Sequence, residues 1–266
     1  MRTLKQLMDL NGRSALVTGG AGHIGSVICE TLAELGAQVA VLDLDRAACD
    51  AVGQRLSSYN VRTFGLAVDL NDLDAVRSAP AQVVNELGAL DIVIHCAAYG
   101  GDTKFPGWAV PFDQQSAEAW ERAIRVNLTS AFVLAQAARE ALNQSTHGSM
   151  VFVSSIYGVA GPDMSLYEGT SMANPAGYGA SKGGLLQLMR YLATVLAPSI
   201  RVNAISPGGV LRQQPEVFQQ RYQKRTPLDR MATEEDLKGA VAYLASDLSQ
   251  YVTGHNLVVD GGWTTW

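Results

Sequence analysis

A doubly wound, parallel α/β sheet is the fold class this sequence predicts, and three observations predict it. Short apolar runs alternate with longer amphipathic ones along the whole chain. The short runs are apolar throughout rather than at every second residue, the pattern of strands covered on both faces. The first of them runs straight into a glycine cluster and then a helical pattern, the arrangement that offers a ligand a tight turn and a helix N-terminus. Candidate strands lie at 14–18, 38–42, 62–68, 92–95, 150–154, 201–205 and 256–259, and helical patterns at 23–35, 47–56, 73–87, 117–142, 178–196 and 234–245. Right-handed crossovers then place helices on both faces of a sheet of about seven strands. No linker or internal repeat divides the chain, so residues 1–266 are read as one domain. Two segments break the rhythm: 156–177, rich in Gly, Pro, Ser and Asn, and 208–233, with Pro215 and Pro227. Both follow the carboxyl ends of candidate strands, where open sheets bind ligands, and both are read as substrate loops.

Composition removes several function classes. With 47% hydrophobic and 17% charged residues there is ample material for a core, which excludes global disorder. The 20 basic residues against 25 acidic ones leave a net charge of -5, the wrong balance for gripping a nucleic-acid backbone. No run approaches the 18 or more uninterrupted apolar residues of a membrane span. Arg2, Lys5 and Asp9 interrupt the N-terminus, which lacks the apolar stretch of a signal peptide. Cys29, Cys49 and Cys96 form no close pair and read as small apolar residues in a reducing compartment. A cytoplasmic location is the expectation. His147 and His255 stand alone with no Cys or carboxylate at ligand spacing, so no metal is expected.

The glycine cluster reads Thr18-Gly19-Gly20-Ala21-Gly22-His23-Ile24-Gly25. Glycines let the backbone turn sharply and approach a pyrophosphate, and the helix that follows supplies unpaired N–H groups and the positive end of its dipole. The strand before and the helix after complete the context of a Rossmann-type dinucleotide site. The next strand ends at Asp43, 18 residues beyond Gly25, where a carboxylate would accept hydrogen bonds from the adenosine ribose and repel a 2′-phosphate. Arg46 nearby is the one basic group that could offset it. NAD is therefore expected over NADP. A solvated strand-end carboxylate is the bland alternative for Asp43. Asp69, at the end of the third strand, is placed near the adenine.

Tyr178 and Lys182 are four apart in a helical pattern and so share one face. A phenol titrates near 10, and a neighbouring ammonium would bring it into range as a proton donor and acceptor. The pair follows the fifth strand, whose end carries Ser154 and Ser155.

Taken with Asp69, Asn127 in Val126-Asn127-Leu128, Pro207-Gly208-Gly209 and Asp260-Gly261-Gly262, these elements make the chain resemble the short-chain dehydrogenase/reductase family over nearly its whole length. The resemblance implies that Tyr178 is the acid/base and that Ser155, rather than Ser154, steadies the substrate oxygen. It implies that Lys182 holds the nicotinamide ribose and lowers the Tyr178 pKa, and that Asn127 holds a water in a proton relay. Dinucleotide contacts are expected from Gly19, Gly22, His23, Ile24, Gly25, Asp43, Asp69, Leu70, Ala97, Tyr178, Lys182, Pro207, Gly208 and Val210, and substrate contacts from Ser155, Tyr178 and Gly209. A homotetramer or homodimer is implied, and 117–142 and 178–196 carry apolar residues beyond one stripe, among them Ala131, Phe132, Leu134 and Ala135.

Departures from the compact branch of that family stand at His23, where it usually has glycine, and at His95-Cys96-Ala97-Ala98, in place of Asn-Asn-Ala-Gly. Both are similar to the extended branch, many of whose members act on nucleotide sugars, and both histidines read as packing groups. The 22 residues between Ser155 and Tyr178 include Asp163, Tyr167, Glu168 and Asn174, groups that suit a polyhydroxylated substrate or equally a solvated loop or intersubunit contact. Arg212, Arg221, Lys224, Arg225 and Arg230 face only Glu216 and Asp229 within 212–230, which would attract a phosphate or carboxylate or simply be a solvated face. The 167–190 stretch also resembles oxidoreductases of bacterial surface-glycan and flagellin modification. The expected activity is hydride transfer between NAD and a secondary alcohol or ketone of a sugar or sugar-derived substrate, phosphorylated and nucleotide-linked forms included. An NAD-retaining sugar epimerase or dehydratase and a non-catalytic dinucleotide sensor remain the alternatives.

Overall fold

The computed structural model describes residues 1–100 and 104–266. Seven strands form one all-parallel sheet: β1 (Ser14–Thr18), β2 (Gln38–Asp43), β3 (Thr63–Ala67), β4 (Ile92–His95), β5 (Ser149–Val153), β6 (Arg201–Pro207) and β7 (Asn256–Val259), in the order β3-β2-β1-β4-β5-β6-β7. β1, β4 and β5 are buried at every position, as their unbroken apolar runs require. The strand order reverses between β1 and β4, where Thr18 pairs in register with His95. A crevice therefore opens at the carboxyl ends of those two strands.

Nine α-helices surround the sheet among the described residues: α1 (Leu4–Met8), α2 (His23–Glu34), α3 (Arg46–Leu56), α4 (Leu73–Leu87), α5 (Ala117–Ile124), α6 (Ser130–Gln144), α7 (Ala176–Val195), α8 (Glu216–Arg225) and α9 (Lys238–Ala245). One core joins residues of α4, α6 and α7 to one face of the sheet, through Leu16, Val93, Phe152, Leu134 and Met189. A second joins α2, α3 and α9 to the other face, through Val17, Ile28, Val41, Ile94 and Leu244. Side-chain caps fix the helix starts: Asp45 accepts from the Ala47 amide, Asp72 from Asp74 and Ala75, and Ser116 from Ala119.

Three expectations are corrected. The pattern over 117–142 is helical throughout but not uniformly α, because a π-helical turn, Arg125–Thr129, joins α5 to α6. The 208–233 segment is not irregular throughout, since it contains α8. The third strand ends at Ala67, so Asp69 stands two residues beyond it rather than on its last position.

Candidate active site

The glycine loop folds as tightly as its composition implies. Gly19 has φ +66°, and a Cβ there would stand 2.7 Å from the Ala97 Cα. A Cβ on Gly25 would fall 1.9 Å from the Gly19 carbonyl oxygen, so only glycine lets α2 begin against the loop. Gly22 is the α2 N-cap residue and makes no side-chain cap, which leaves His23, Ile24 and the following amides at the helix mouth without one. Ala97, just beyond β4, abuts Gly19, and Leu70, three residues beyond β3, is buried in the core.

Asp43 ends β2 with its Oδ2 accepting from the Ala21 amide at 3.0 Å and its Oδ1 from Leu44 at 2.8 Å. It thus tethers the glycine loop and presents negative charge beside it. Arg46 is committed elsewhere: its Nε donates to both oxygens of Asp50 at 2.9 and 3.0 Å, and its guanidinium lies 5.9 Å over the Phe64 ring. Asp69 accepts from the Asn71 amide and side chain, both at 2.8 Å.

His95 joins the two halves of the site. The Thr18 Oγ1 accepts from the Cys96 and Ala97 amides at 3.2 and 3.3 Å and lies 3.0 Å from His95 Nδ1. With both acceptor positions of the hydroxyl used, its proton points at Nδ1, so the neutral ring carries its own proton on Nε2. That Nε2 is buried and finds no hydrogen bond of good geometry among the described residues. Burial, with the Lys182 charge, pushes the imidazole down to about 3. In the unfolded chain it titrates near 6.5. Folding therefore favours the unprotonated ring, and this contribution to stability is lost as pH falls from about 6.5 towards 3. Nitrogen-15 imidazole spectra are expected to show Nε2 protonated and no titration of His95 between pH 5 and 8; proton uptake near 6.5 would contradict this environment.

Asn127 lies in the π turn, fully buried. Its Oδ1 accepts from the Tyr99 amide at 2.7 Å, and its Nδ2 donates to the Tyr99 carbonyl at 3.3 Å and to Ser181 Oγ at 2.9 Å. The side chain is spent on pinning the chain after β4 and on α7, and the π turn exists where that pinning occurs, a feature frequent at functional sites. Tyr99 continues the network: its hydroxyl accepts from Arg122 Nε at 3.0 Å and Asn71 Nδ2 at 3.3 Å.

On α7, Tyr178 and Lys182 share a face as expected, with the ammonium 5.7 Å from the phenol ring centroid. Tyr178 is half-buried and packs with Trp108, Ala119 and Ala123. Lys182 is buried and donates from Nζ to the Val153 carbonyl at 2.7 Å. Desolvation pushes it down to about 8. Ser155, also buried, accepts from the Tyr157 amide at 3.1 Å. Ser154 donates to the Lys182 carbonyl at 2.8 Å, a structural bond. The close fit of this corner is set by Gly158, where a Cβ would lie 2.8 Å from the Lys182 backbone.

Pro207 ends β6, and Gly208 donates its amide to Val259. Val210 is bridged to Ala232. Gly209 has its amide taken by the Tyr222 hydroxyl, so that N–H is not available to a substrate. Residues 156–177 and α8 pack together: Arg221 donates to the Ser165 and Glu168 carbonyls, Arg225 pairs with Asp163 at 3.2 Å, and the Tyr167 and Phe218 rings sit 5.4 Å apart. Arg212 pairs with Glu234 and Arg230 with Asp236. The basic run is thus largely neutralised by acids distant in sequence, and Lys224 is exposed. Tyr99, Tyr157, Tyr222 and Trp263 frame the site without having been singled out; Trp263 stacks on Tyr222 and meets Tyr157 edge-on. Their proximity comes from loop packing and left no local pattern. His23 is exposed at the helix mouth, and His147 pairs instead with Asp247 at 3.1 Å, at the opposite end of the sheet.

A dinucleotide crevice with a serine, a tyrosine and a lysine at its carboxyl edge defines a nicotinamide-linked oxidoreductase of the doubly wound class. A family model described as enoyl-(acyl carrier protein) reductase matches residues 19–264. A cis-4-hydroxycyclohexanecarboxylate dehydrogenase of Sinomonas cyclohexanicum is 32% identical, over 95% of this chain and 96% of its own. A sorbose reductase of Schizosaccharomyces pombe is 29% identical, over 98% and 99%. The chain belongs to the short-chain dehydrogenase/reductase family, as an oxidoreductase acting on CH–OH groups. A short-chain dehydrogenase of Leptospira borgpetersenii with bound NAD+ superposes with a TM-score of 0.84 at 32% identity, covering 99% of this chain and 96% of that one. A gluconate 5-dehydrogenase of Burkholderia cenocepacia in complex with NADP and tartrate does so with 0.88 at 26%, covering 99% and 100%.

Proposed function

We propose that this enzyme transfers hydride between NAD and a secondary alcohol or ketone of a sugar-derived substrate, with Tyr178 as the proton carrier. The observation that carries the reading is the buried Lys182 ammonium held 5.7 Å from the Tyr178 ring by the Val153 carbonyl. When bound, the nicotinamide supplies or accepts the hydride. The substrate oxygen must exchange a proton in the same event. The Tyr178 hydroxyl gives or takes that proton, favoured by the nearby cation. Ser155 donates to the same oxygen and fixes it. Lys182 would also hold the nicotinamide ribose, and the Asn127 turn would hold a water in the proton relay between the tyrosine and solvent. Gly19, Gly22 and Gly25, with the open amides of His23 and Ile24, would hold the pyrophosphate. Asp43 would accept from the ribose hydroxyls, with Asp69, Leu70 and Ala97 beside the adenosine and Pro207, Gly208 and Val210 beside the nicotinamide. Turnover measured at 340 nm with both coenzymes tests the reading.

The NAD preference rests on Asp43, with Arg46 already bound to Asp50. Asp43→Asn keeps an acceptor for the Ala21 amide and removes the charge. Charged hydrogen bonds contribute about twice as much as neutral ones, and a 2′-phosphate would no longer be repelled. The kcat/KM ratio for NAD over NADP is expected to fall by about tenfold or more; an unchanged ratio would remove Asp43 from the coenzyme site.

Association through α6 and α7 is part of the same reading, because they leave Phe132, Tyr191 and Val195 exposed. Light scattering is expected to give a homotetramer or homodimer, and a purely monomeric species would refute this.

A further inference from the structure

We propose that the group formed by Tyr157, Tyr167 and Asn174, next to Ser155 and the start of α7, is a wall of the substrate site that selects an uncharged polyol over a carboxylated or phosphorylated one, an inference that rests on the dehydrogenase reading above. Tyr157 follows Ser155 by two residues, and its amide donates to the serine oxygen. Its carbonyl lies against α7 at Gly179, where a Cβ would be 3.2 Å away, one residue from Tyr178. The wall therefore starts beside the reacting groups.

The hydrogen-bond arithmetic of that wall is specific. The Tyr157 and Tyr167 hydroxyls are 2.9 Å apart, and Asn174 Nδ2 donates to Tyr167 at 3.3 Å. Two hydroxyls carry two protons and four acceptor positions. Their mutual bond uses one of each, and Asn174 fills a second acceptor position. One donor and two acceptors remain. A substrate hydroxyl, which both donates and accepts, satisfies that set. A carboxylate or phosphate oxygen only accepts, and it would meet two unpaired lone-pair positions with one donor. Burial holds both phenols above their ordinary range, so they stay neutral donors and acceptors at working pH.

Charge accounting points the same way. Anion recognition at a half-buried site is strongest where a cation is left unspent. Of the basic groups in 212–230, Arg212, Arg225 and Arg230 are ion-paired with Glu234, Asp163 and Asp236, and Arg221 is spent on two carbonyls. The remaining one, Lys224, is exposed on α8, and outside that segment Arg122 on α5 donates to the Tyr99 hydroxyl and lies over the Tyr99 and Phe105 rings. The chain shares its fold with relatives named for acids and for neutral sugars alike, and this side-chain set suits the neutral group.

The test is a four-probe panel on the purified full chain with NAD and NADP: xylitol and sorbitol as neutral polyols, gluconate and cis-4-hydroxycyclohexanecarboxylate as anions. Expected is turnover that depends on Tyr178, with kcat/KM for a polyol at least about tenfold above that for gluconate. Tyr157→Phe and Tyr167→Phe, which remove only hydroxyls, should each raise the polyol KM about tenfold while kcat changes less than about threefold. A role in packing alone would instead lower the melting temperature and leave that KM unmoved. Tyr178-dependent preference for gluconate, or an unmoved polyol KM in both Phe variants, overturns the inference and leaves the dehydrogenase reading standing. Absence of Tyr178-dependent turnover on all four probes overturns both.

Discussion

Tyr178→Phe should cost between about 10² and 10⁴ in kcat, the range over which a positioned proton carrier acts, and leave NAD affinity within about threefold. The substitution deletes one oxygen and keeps the ring among Trp108, Ala119 and Ala123. The main-chain carbonyl still accepts from Ser181 Oγ at 2.7 Å, so α7 keeps its local bonding. The face that meets the Lys182 ammonium is likewise retained. What disappears is the only atom of that side chain able to exchange a proton with a substrate oxygen. Steady-state absorbance at 340 nm measures the turnover, and quenching of protein fluorescence on titration with NADH measures binding. Undiminished kcat would assign the proton to another group and dissolve the mechanism.

How much of this site was readable along the chain depends on whether the determining contact is local. The strands were legible because two-sided burial writes itself into consecutive apolar residues, and 14–18, 92–95 and 256–259 match β1, β4 and β7 at both ends. The glycine loop was legible because tight backbone approach admits no other residue at Gly19 and Gly25. The π turn between α5 and α6 was not, since the contact made from it, Asn127 to Tyr99, spans 28 residues. α8 was hidden by its polarity and by flanking prolines, although Phe218 and Tyr222, both buried and four apart, are the trace of its inward face. The basic run at 212–230 looked uncompensated within its own window, because the carboxylates that neutralise it are Asp163, Glu234 and Asp236. Tyr157 and Tyr167 are ten residues apart and meet only because the loop between them doubles back through the Met164–Leu166 turn.

Lys182→Met should abolish turnover by about 10² or more without lowering the melting temperature, a separation of function from stability that follows from burial. In the unfolded chain this lysine titrates at its ordinary 10.5; in the fold, desolvation brings it to about 8. Between those two values the unfolded chain binds a proton that the folded chain has released, so this residue makes stability rise with pH from about 8 to 10.5. Below pH 8 the whole cost of burying the charge is present, on the order of 3 kcal/mol at 1.36 kcal/mol per unit. Methionine fills a similar volume and removes that cost. It also leaves the Val153 carbonyl without its Nζ donor, worth about 1–3 kcal/mol in the other direction. The balance lies between about zero and 2 kcal/mol in favour of the variant, equivalent to no change or a rise of a few degrees at about 2–4 °C per kcal/mol. The variant's stability should also lose this contribution to the slope between pH 8 and 10.5. Calorimetry at pH 7 and pH 10 on both proteins reads the two effects together. A melting temperature lowered by more than about 5 °C at pH 7, with the alkaline slope intact, would mean that the ammonium stabilises the fold, and the lysine would then be held in place by structure rather than by the reaction it serves.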